Sequence, residues 1–271
     1  MPMASFDELD AARLNAALRG TIFAGNVYHF ATIESTNAHA LAEAQRGATA
    51  GSTYVADEQT MGRGRGGHSW ESVRGDGLYV SVLLRPRLSP QAALLIALAA
   101  ALAARAAVES VAGVAPDIRW PNDLMLNGKK CGGILVETAV DTAAQPEPLL
   151  RHVVIGIGIN VNQSAFAGEL GALAMSLRIA TGEIQRREEL LLALLPALAA
   201  EVAWLEDNGA TETLARFAEA STWAAGKTVH VEEMGGYTGV TDGLDPRGFL
   251  RVRAADGSLR TVLNGGVRQL K

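Results

Sequence analysis

Apolar residues in this chain fall into short β-type runs and two long helical stretches, separated by glycine, proline and asparagine. The runs Thr53–Ala56, Leu78–Leu84, Ile118–Trp120, Gly133–Glu137 and His152–Ile159 read as strands. Between Gln91 and Arg105 the sequence is mostly alanine and leucine. That predicts a buried helix continuing to about Val111 and ending at Gly113, with Ser89 as its cap and Pro90 in its first turn. The apolar run is shorter than the ~20 residues a membrane span needs. A second helix is expected over Arg187–Glu206, kinked or broken at Pro196. A helix over Asn37–Gln45 is expected too, with Ser35 or Thr36 as its cap. Mixed strands with a few long helices suggest an α+β or mixed α/β domain.

The pattern changes after Trp223. Thr228–Glu232, Tyr237–Thr241, Phe249–Arg253 and Arg260–Leu263 alternate with the turn signals Gly235-Gly236, Asp245-Pro246-Arg247-Gly248 and Asp256-Gly257. This reads as a small β-barrel that leans on the rest of the protein, because so short a segment buries little surface alone. With 271 residues and ~100–200 per domain, the expected division is 1–222 and 223–271.

Composition narrows the function classes. A 48% apolar chain has enough for a real core, which excludes wholesale disorder. Lys and Arg total 24 against 29 Asp and Glu, so a globally basic nucleic-acid binder is not expected, although a local basic patch stays open. The single cysteine, Cys131, excludes an internal disulfide and a cysteine-cluster zinc site. Asp7, Glu8 and Asp10 stand where a secretory signal would be basic and then apolar, so the cytoplasm is expected. The five histidines show no metal-ligand spacing, and no G-x-S-x-G elbow is present. Any chemistry therefore rests on positioning and electrostatics rather than on a protein nucleophile.

Four segments carry candidate chemistry. Gly62-Arg63-Gly64-Arg65-Gly66-Gly67 satisfies G-x-G-x-x-G formally, but it leads toward another strand rather than opening a helix, so the dinucleotide reading fails. It reads instead as a loop whose N–H groups and arginines can wrap an anion, or as a solvated basic turn. Gly226-Lys227-Thr228 lacks the upstream glycine of a P-loop, Ser221 standing there, and reads as a turn into the small barrel. In Arg119-Trp120-Pro121-Asn122-Asp123, the proline stops a strand and puts Asn122 and Asp123 on a loop. Lys129-Lys130 then precede the Gly132-Gly133 pair, which is either a site or a hairpin with a lysine-rich edge. In Gly156-Ile157-Gly158-Ile159-Asn160, glycines inside a strand mark either close approach of a ligand or tight packing.

Taken in order, Ser35-Thr36-Asn37, Gln59 through Gly67 with Trp70, Arg119 through Asp123, Lys130 through Glu137, Gly156 through Asn160 and the late Gly265-Gly266 resemble the biotin protein ligase family. The resemblance runs from about Ile33 to the end. It implies a mixed-sheet catalytic domain of the class II aminoacyl-tRNA synthetase or biotin–lipoate ligase type, with an SH3-like barrel behind it. It also implies two steps: biotin and ATP give biotinyl-5′-adenylate, and the biotinyl group then passes to a lysine of a biotin carboxyl carrier protein. Biotin contacts are implied for Ser35, Thr36, Asn37, Gln59, Thr60, Gly62, Gly64, Arg65, Gly66, Lys130, Gly133, Ile134 and Gly158. ATP or adenylate contacts are implied for Arg63, Arg65, Trp70, Asn122, Lys130 and Asn160. Lys130, Arg65 and Asp123 are the implied catalytic residues, with Mg²⁺ accompanying ATP near Asn122 and Asp123.

Gly66 and His68 depart from relatives that carry arginine there, which implies fewer phosphate contacts. Only 34 residues precede Ser35, against the ~50 of a minimal domain, so the form without an N-terminal DNA-binding domain is expected. Neither DNA nor a membrane is an expected partner, and a homodimer stays open. The alternatives are a lipoate or octanoate ligase or transferase of the same fold, or a non-catalytic biotin-responsive regulator. The glycine-arginine loop and polar Ser35, Thr36 and Gln59 favour a ureido ligand over a plain acyl chain, and the acidic balance and Lys130 argue against a pure regulator.

Overall fold

The computed structural model describes residues 9–233, 235–263 and 266–270, so Asp7, Glu8 and Gly265 lie outside the described residues. The β-type runs assemble into one seven-stranded sheet. Strands β1 (Val27–Phe30) and β2 (Thr53–Ala56) are parallel, and every other neighbouring pair is antiparallel. Adding β3 (Gly77–Leu84), β4 (Asp117–Arg119), β5 (Asp123–Leu126), β6 (Lys129–Asp141) and β7 (Leu149–Asn160), the order is β1-β2-β3-β7-β6-β5-β4.

The period-2 alternation of β7 decides what each face does. Val153, Ile155, Ile157 and Ile159 enter the main core with Ile96, Leu98, Leu191 and Leu194. Those partners sit on helices α3 (Ala93–Ala112) and α6 (Arg187–Asn208). Val154 points the other way and packs with Ala40, Ala44, Tyr54 and Leu83 beneath helix α2 (Thr36–Gln45). Gly156 and Gly158 share that second face, so α2 covers one end of a sheet surface whose other end is left low and open. Helices α1 (Ala11–Ala17), α4 (Leu170–Leu173), α5 (Leu177–Thr181) and α7 (Ala210–Ala220) complete the large unit.

Beyond Trp223, β8 (Ala225–Val231), β9 (Tyr237–Leu244), β10 (Leu250–Ala254), β11 (Leu259–Val262) and β12 (Val267–Gln269) form an antiparallel sheet in the order β11-β10-β9-β8-β12. It does lean on the large unit. Val229, Leu250 and Val252 join the same core cluster as α3, and the buried Trp120 indole donates to Gly248 O at 2.9 Å. Gly226-Lys227-Thr228 lies inside β8 at a bulge, with Gly226 at φ +76°.

Several elements differ from the sequence expectation. Strands β6 and β7 extend well past Gly133–Glu137 and His152–Ile159, because pairing along a long hairpin carries polar and small residues into regular structure. Asp123 opens strand β5 rather than sitting on a loop, and Asn127 (φ 51°) and Gly128 (φ 74°) turn β5 into β6. That Asn-Gly pair is a strong hairpin signal which the lysine-rich reading of the segment passed over. Helix α6 runs through Pro196 without a break, since its leucines are buried on both sides of the proline. Ser89 makes no side-chain cap; a single 3₁₀ turn over Pro90–Ala92 leads into α3 instead. Residues Pro90–Ala112 are long and apolar enough to cross a membrane, so length alone does not exclude a span, but most of this helix is buried against the sheet and α6.

Candidate functional site

Residues Gly133 and Gly158 are direct cross-strand partners on the open end of the sheet face. The missing side chains leave room for the Trp70 indole: a Cβ on Gly158 would lie 2.7 Å from its Cε2, and one on Gly133 would lie 3.3 Å from its Cζ3. Gly156 is equally constrained, since its Cβ would fall 2.2 Å from Asn37 Oδ1. Close approach is therefore the reason for the glycines. Together they floor a cleft with about 450 Å³ of empty space.

One end of the cleft is a neutral polar network built on the first turn of α2. Ser35 caps the helix by accepting from Ala38 N at 3.4 Å, a long bond. Gln59 Oε1 accepts from Thr36 N at 2.9 Å and from Thr36 Oγ1 at 3.1 Å, while Gln59 Nε2 donates to Ser72 Oγ at 3.0 Å. Behind them Ser81 Oγ lies 2.8 Å from Thr36 Oγ1 and 2.6 Å from Asn37 Oδ1, and Asn37 Nδ2 donates to Glu137 at 2.7 Å. Ser35, Thr36, Asn37 and Ser81 are all buried, so these bonds hold the hydroxyls and amides in fixed directions.

The opposite end is cationic. Lys130 leaves β6 beside the glycine floor, with Nζ 5.4 Å from the Trp70 ring centroid and 2.5 Å from Asp123 Oδ1. Arg119 donates to the other oxygen, Asp123 Oδ2, from Nη2 at 2.6 Å and Nε at 3.1 Å. Arg63, Gly64 and Arg65 of the glycine-arginine loop line the same end. Burial lowers the pKa of Arg65, while the charges of Asp123 and Glu233 act the other way. A partly desolvated guanidinium binds an anion more strongly than a hydrated one. Asn122 Nδ2 donates to Ile134 O at 2.7 Å and fixes the neighbouring wall.

The cleft thus brings together Ser35, Thr36, Asn37, Gln59, Arg63, Gly64, Arg65, Trp70, Asn122, Lys130, Gly133 and Gly158. Ile134 contributes to the same wall, but its side chain joins the main core. Four expected contacts do not line it. Thr60 is exposed and donates from its N–H to Ile33 O; Gly62 is buried, with Trp70 N donating to its carbonyl. Gly66 is exposed in the left-handed region at φ 69°, and Asn160 spends its amide on Met175 O at 3.1 Å. Sequence reasoning missed Ser81, Ser72 and Glu137. For Ser81 a signal existed: it is the one serine in the apolar run Leu78–Leu84, and a small polar residue there needs a partner.

No group of three His, Cys, Asp or Glu residues that could hold a metal occurs among the described residues. Asn122 and Asp123 do not fit a resident Mg²⁺, because both Asp123 oxygens already face cations. The buried thiol of Cys131, pushed up to about 12 by burial, is chemically inert. A neutral polar end, an apolar glycine-and-indole floor and a cationic end suit a ligand with a polar uncharged head, an apolar middle and an anionic tail.

Residues 29–160 match the Biotin/lipoate A/B protein ligase family. The bifunctional ligase/repressor BirA of Bacillus spizizenii is 39% identical over 178 residues, covering 65% of this chain; the chain spans only about half, 53%, of that relative. A biotin–[acetyl-CoA-carboxylase] ligase of Paracoccus denitrificans is 34% identical over 84% of this chain and 94% of its own length. Among solved structures, the Aquifex aeolicus biotin protein ligase in complex with biotin and ATP superposes with a TM-score of 0.76 at 27% identity, over 90% of this chain and 99% of that one.

Proposed function

The chain belongs to the biotin protein ligases of the Biotin/lipoate A/B protein ligase family, and from that premise we propose that it activates biotin with ATP and passes it to a carrier-protein lysine. In the first step a biotin carboxylate oxygen bonds to the α-phosphorus of ATP and pyrophosphate leaves. In the second, a lysine amine of the carrier attacks the acyl carbon, AMP leaves, and the amine loses a proton. We take the carrier to be the biotin carboxyl carrier protein of a carboxylase; the name of the Paracoccus relative gives acetyl-CoA carboxylase as what that protein acts on.

The observation that carries this reading is the order of chemistry along one cleft. Ser35, Thr36 and Gln59 offer directed polar groups for a ureido ring; the floor of Gly133, Gly158 and Trp70 takes the apolar body; Lys130 and Arg65 meet the carboxylate and the phosphates. Lys130 draws the two anions together and stabilises the charge that builds during in-line attack. In this reading Asp123, paired with Lys130 and Arg119, orients the incoming carrier amine in the second step. A magnesium ion would enter with the nucleotide phosphates rather than wait in a protein cage.

The polar network also favours biotin over a plain acyl chain such as octanoate, which would leave Gln59 and Thr36 facing hydrocarbon. We assign the catalytic unit to 1–222 and the small sheet to a unit at 223–271. We place the enzyme in the cytoplasm, where its lone thiol stays reduced. ATP–pyrophosphate exchange tests the reading. Exchange should depend on biotin and be absent with lipoate or octanoate; a pure, folded preparation without biotin-dependent exchange would sink it.

A further inference from the structure

The Asp123 carboxylate bridges two cations, and only one of them belongs to the cleft. Asp123 Oδ1 faces Lys130, while Oδ2 receives two N–H bonds from Arg119, its direct cross-strand neighbour on β4. Arg119 is absent from the cleft wall. Its guanidinium sits 5.6 Å from the ring centroid of Trp223, whose ring also carries Lys227 Nζ at 4.9 Å. Trp223 is buried at the point where the chain leaves α7 for the small sheet. This junction is stitched to β4: Asp117 accepts from Thr222 N at 2.9 Å and Thr222 Oγ1 at 2.6 Å, and Ser221 Oγ donates to Ile118 O.

We infer that Arg119 is a positioning residue for the first half-reaction, held by Trp223 and acting through Asp123 to keep Lys130 aimed at the cleft and the cluster around it net positive. The inference rests on the ligase reading above. Its physical basis is the charge sum. With Arg119 present, two cations share one carboxylate and the cluster keeps a net positive charge. Without it, the Asp123–Lys130 pair is neutral, and the ammonium attracts an anionic substrate less. The two N–H bonds from Arg119 also hold Oδ2, which leaves Oδ1 turned toward Lys130 Nζ.

The test is ATP–pyrophosphate exchange with four full-length proteins: wild type, Arg119→Gln, Arg119→Lys, and the double variant Arg119→Gln/Asp123→Asn. Arg119→Gln should lose at least ~10-fold in exchange, with a higher KM for ATP, and Arg119→Lys should recover part of that. The double variant removes the carboxylate along with the guanidinium and leaves Lys130 with its full charge. It should exchange faster than Arg119→Gln alone, a reversal that a merely structural role would not give. Thermal melts check that each variant is folded. An unaffected Arg119→Gln, or a double variant no faster than the single, overturns the inference while wild-type exchange still supports the ligase. Wild type without biotin-dependent exchange removes the ligase reading and this inference together.

Discussion

The indole of Trp70 lies on Gly158 with no room between them: a Cβ on residue 158 would sit 2.7 Å from Cε2 and 2.8 Å from Nε1. Among the described residues the buried Trp70 Nε1 has no hydrogen-bond partner, so packing on the glycines and the Lys130 ammonium over the ring hold it there. In Gly158→Ala the methyl group must push the ring off the floor, and overpacking of this kind costs about 1–3 kcal/mol. Biotin affinity should fall at least ~10-fold, because the cleft then loses its apolar floor. Biotin titration followed by tryptophan fluorescence checks this; an alanine variant with wild-type affinity would show that the ring does not shape the site.

Lys130 is the cation placed between the glycine floor and Asp123. Lys130→Ala should cut biotin-dependent ATP–pyrophosphate exchange by at least ~10-fold, equivalent to ~1.4 kcal/mol of transition-state stabilisation. Lys129 provides the control, since its ammonium donates to Gly171 O and is turned away from the cleft. Lys129→Ala should retain most of the exchange, and equal losses in the two variants would mean that the charge assignment is wrong.

How much of this was legible beforehand follows from the range of the forces involved. The strands Thr53–Ala56 and Leu78–Leu84, the end of α3 at Gly113 and the cap at Ser35 were readable, because each depends on neighbours within a few residues. Strand β5 was not, as Asp123 and Met125 become strand only by pairing with β4 and β6. That helix α6 continues past Pro196 rather than breaking there was not legible, because the leucines that α3 buries outweigh the local cost of the proline. At the site, the Lys129-Lys130 pair before Gly132-Gly133 stood out in the sequence, and the family resemblance singled out Lys130. Ser81 and Glu137 did not: they lie 44 and 100 residues from Asn37, and only the fold joins them.

His152 makes stability depend on pH. It is buried on β7, its Nδ1 has no partner among the described residues, and burial first, then the nearby charges of Arg85 and Arg151, push its pKa below the ordinary value. The folded protein therefore favours the neutral ring. Its contribution is complete above the ordinary pKa of about 6.5 and declines as pH falls from there toward the lower folded value, because the unfolded chain binds the proton first. Urea midpoints should drop between pH 8 and pH 5.5 more for wild type than for His152→Gln. Parallel pH profiles would remove His152 as the cause.

Trp120 tests whether the two sheets fold as one unit. Its indole N–H donates to the buried carbonyl of Gly248, the turn residue between β9 and β10. A Cβ on Gly248 would come within 3.1 Å of Leu95 and 3.2 Å of Leu98, so the turn is pressed onto α3. Trp120→Phe keeps an aromatic ring in the core but orphans that carbonyl, which costs about 1–3 kcal/mol. Because Val229, Leu250 and Val252 share a core with α3, the loss should lower the midpoint of a single transition, not create a second one. Urea unfolding followed by far-UV circular dichroism and by tryptophan fluorescence checks this. Coincident curves at a lower midpoint are expected. Curves that separate, with the small sheet melting first, would show that the Trp120–Gly248 bond couples two units that are otherwise stable alone.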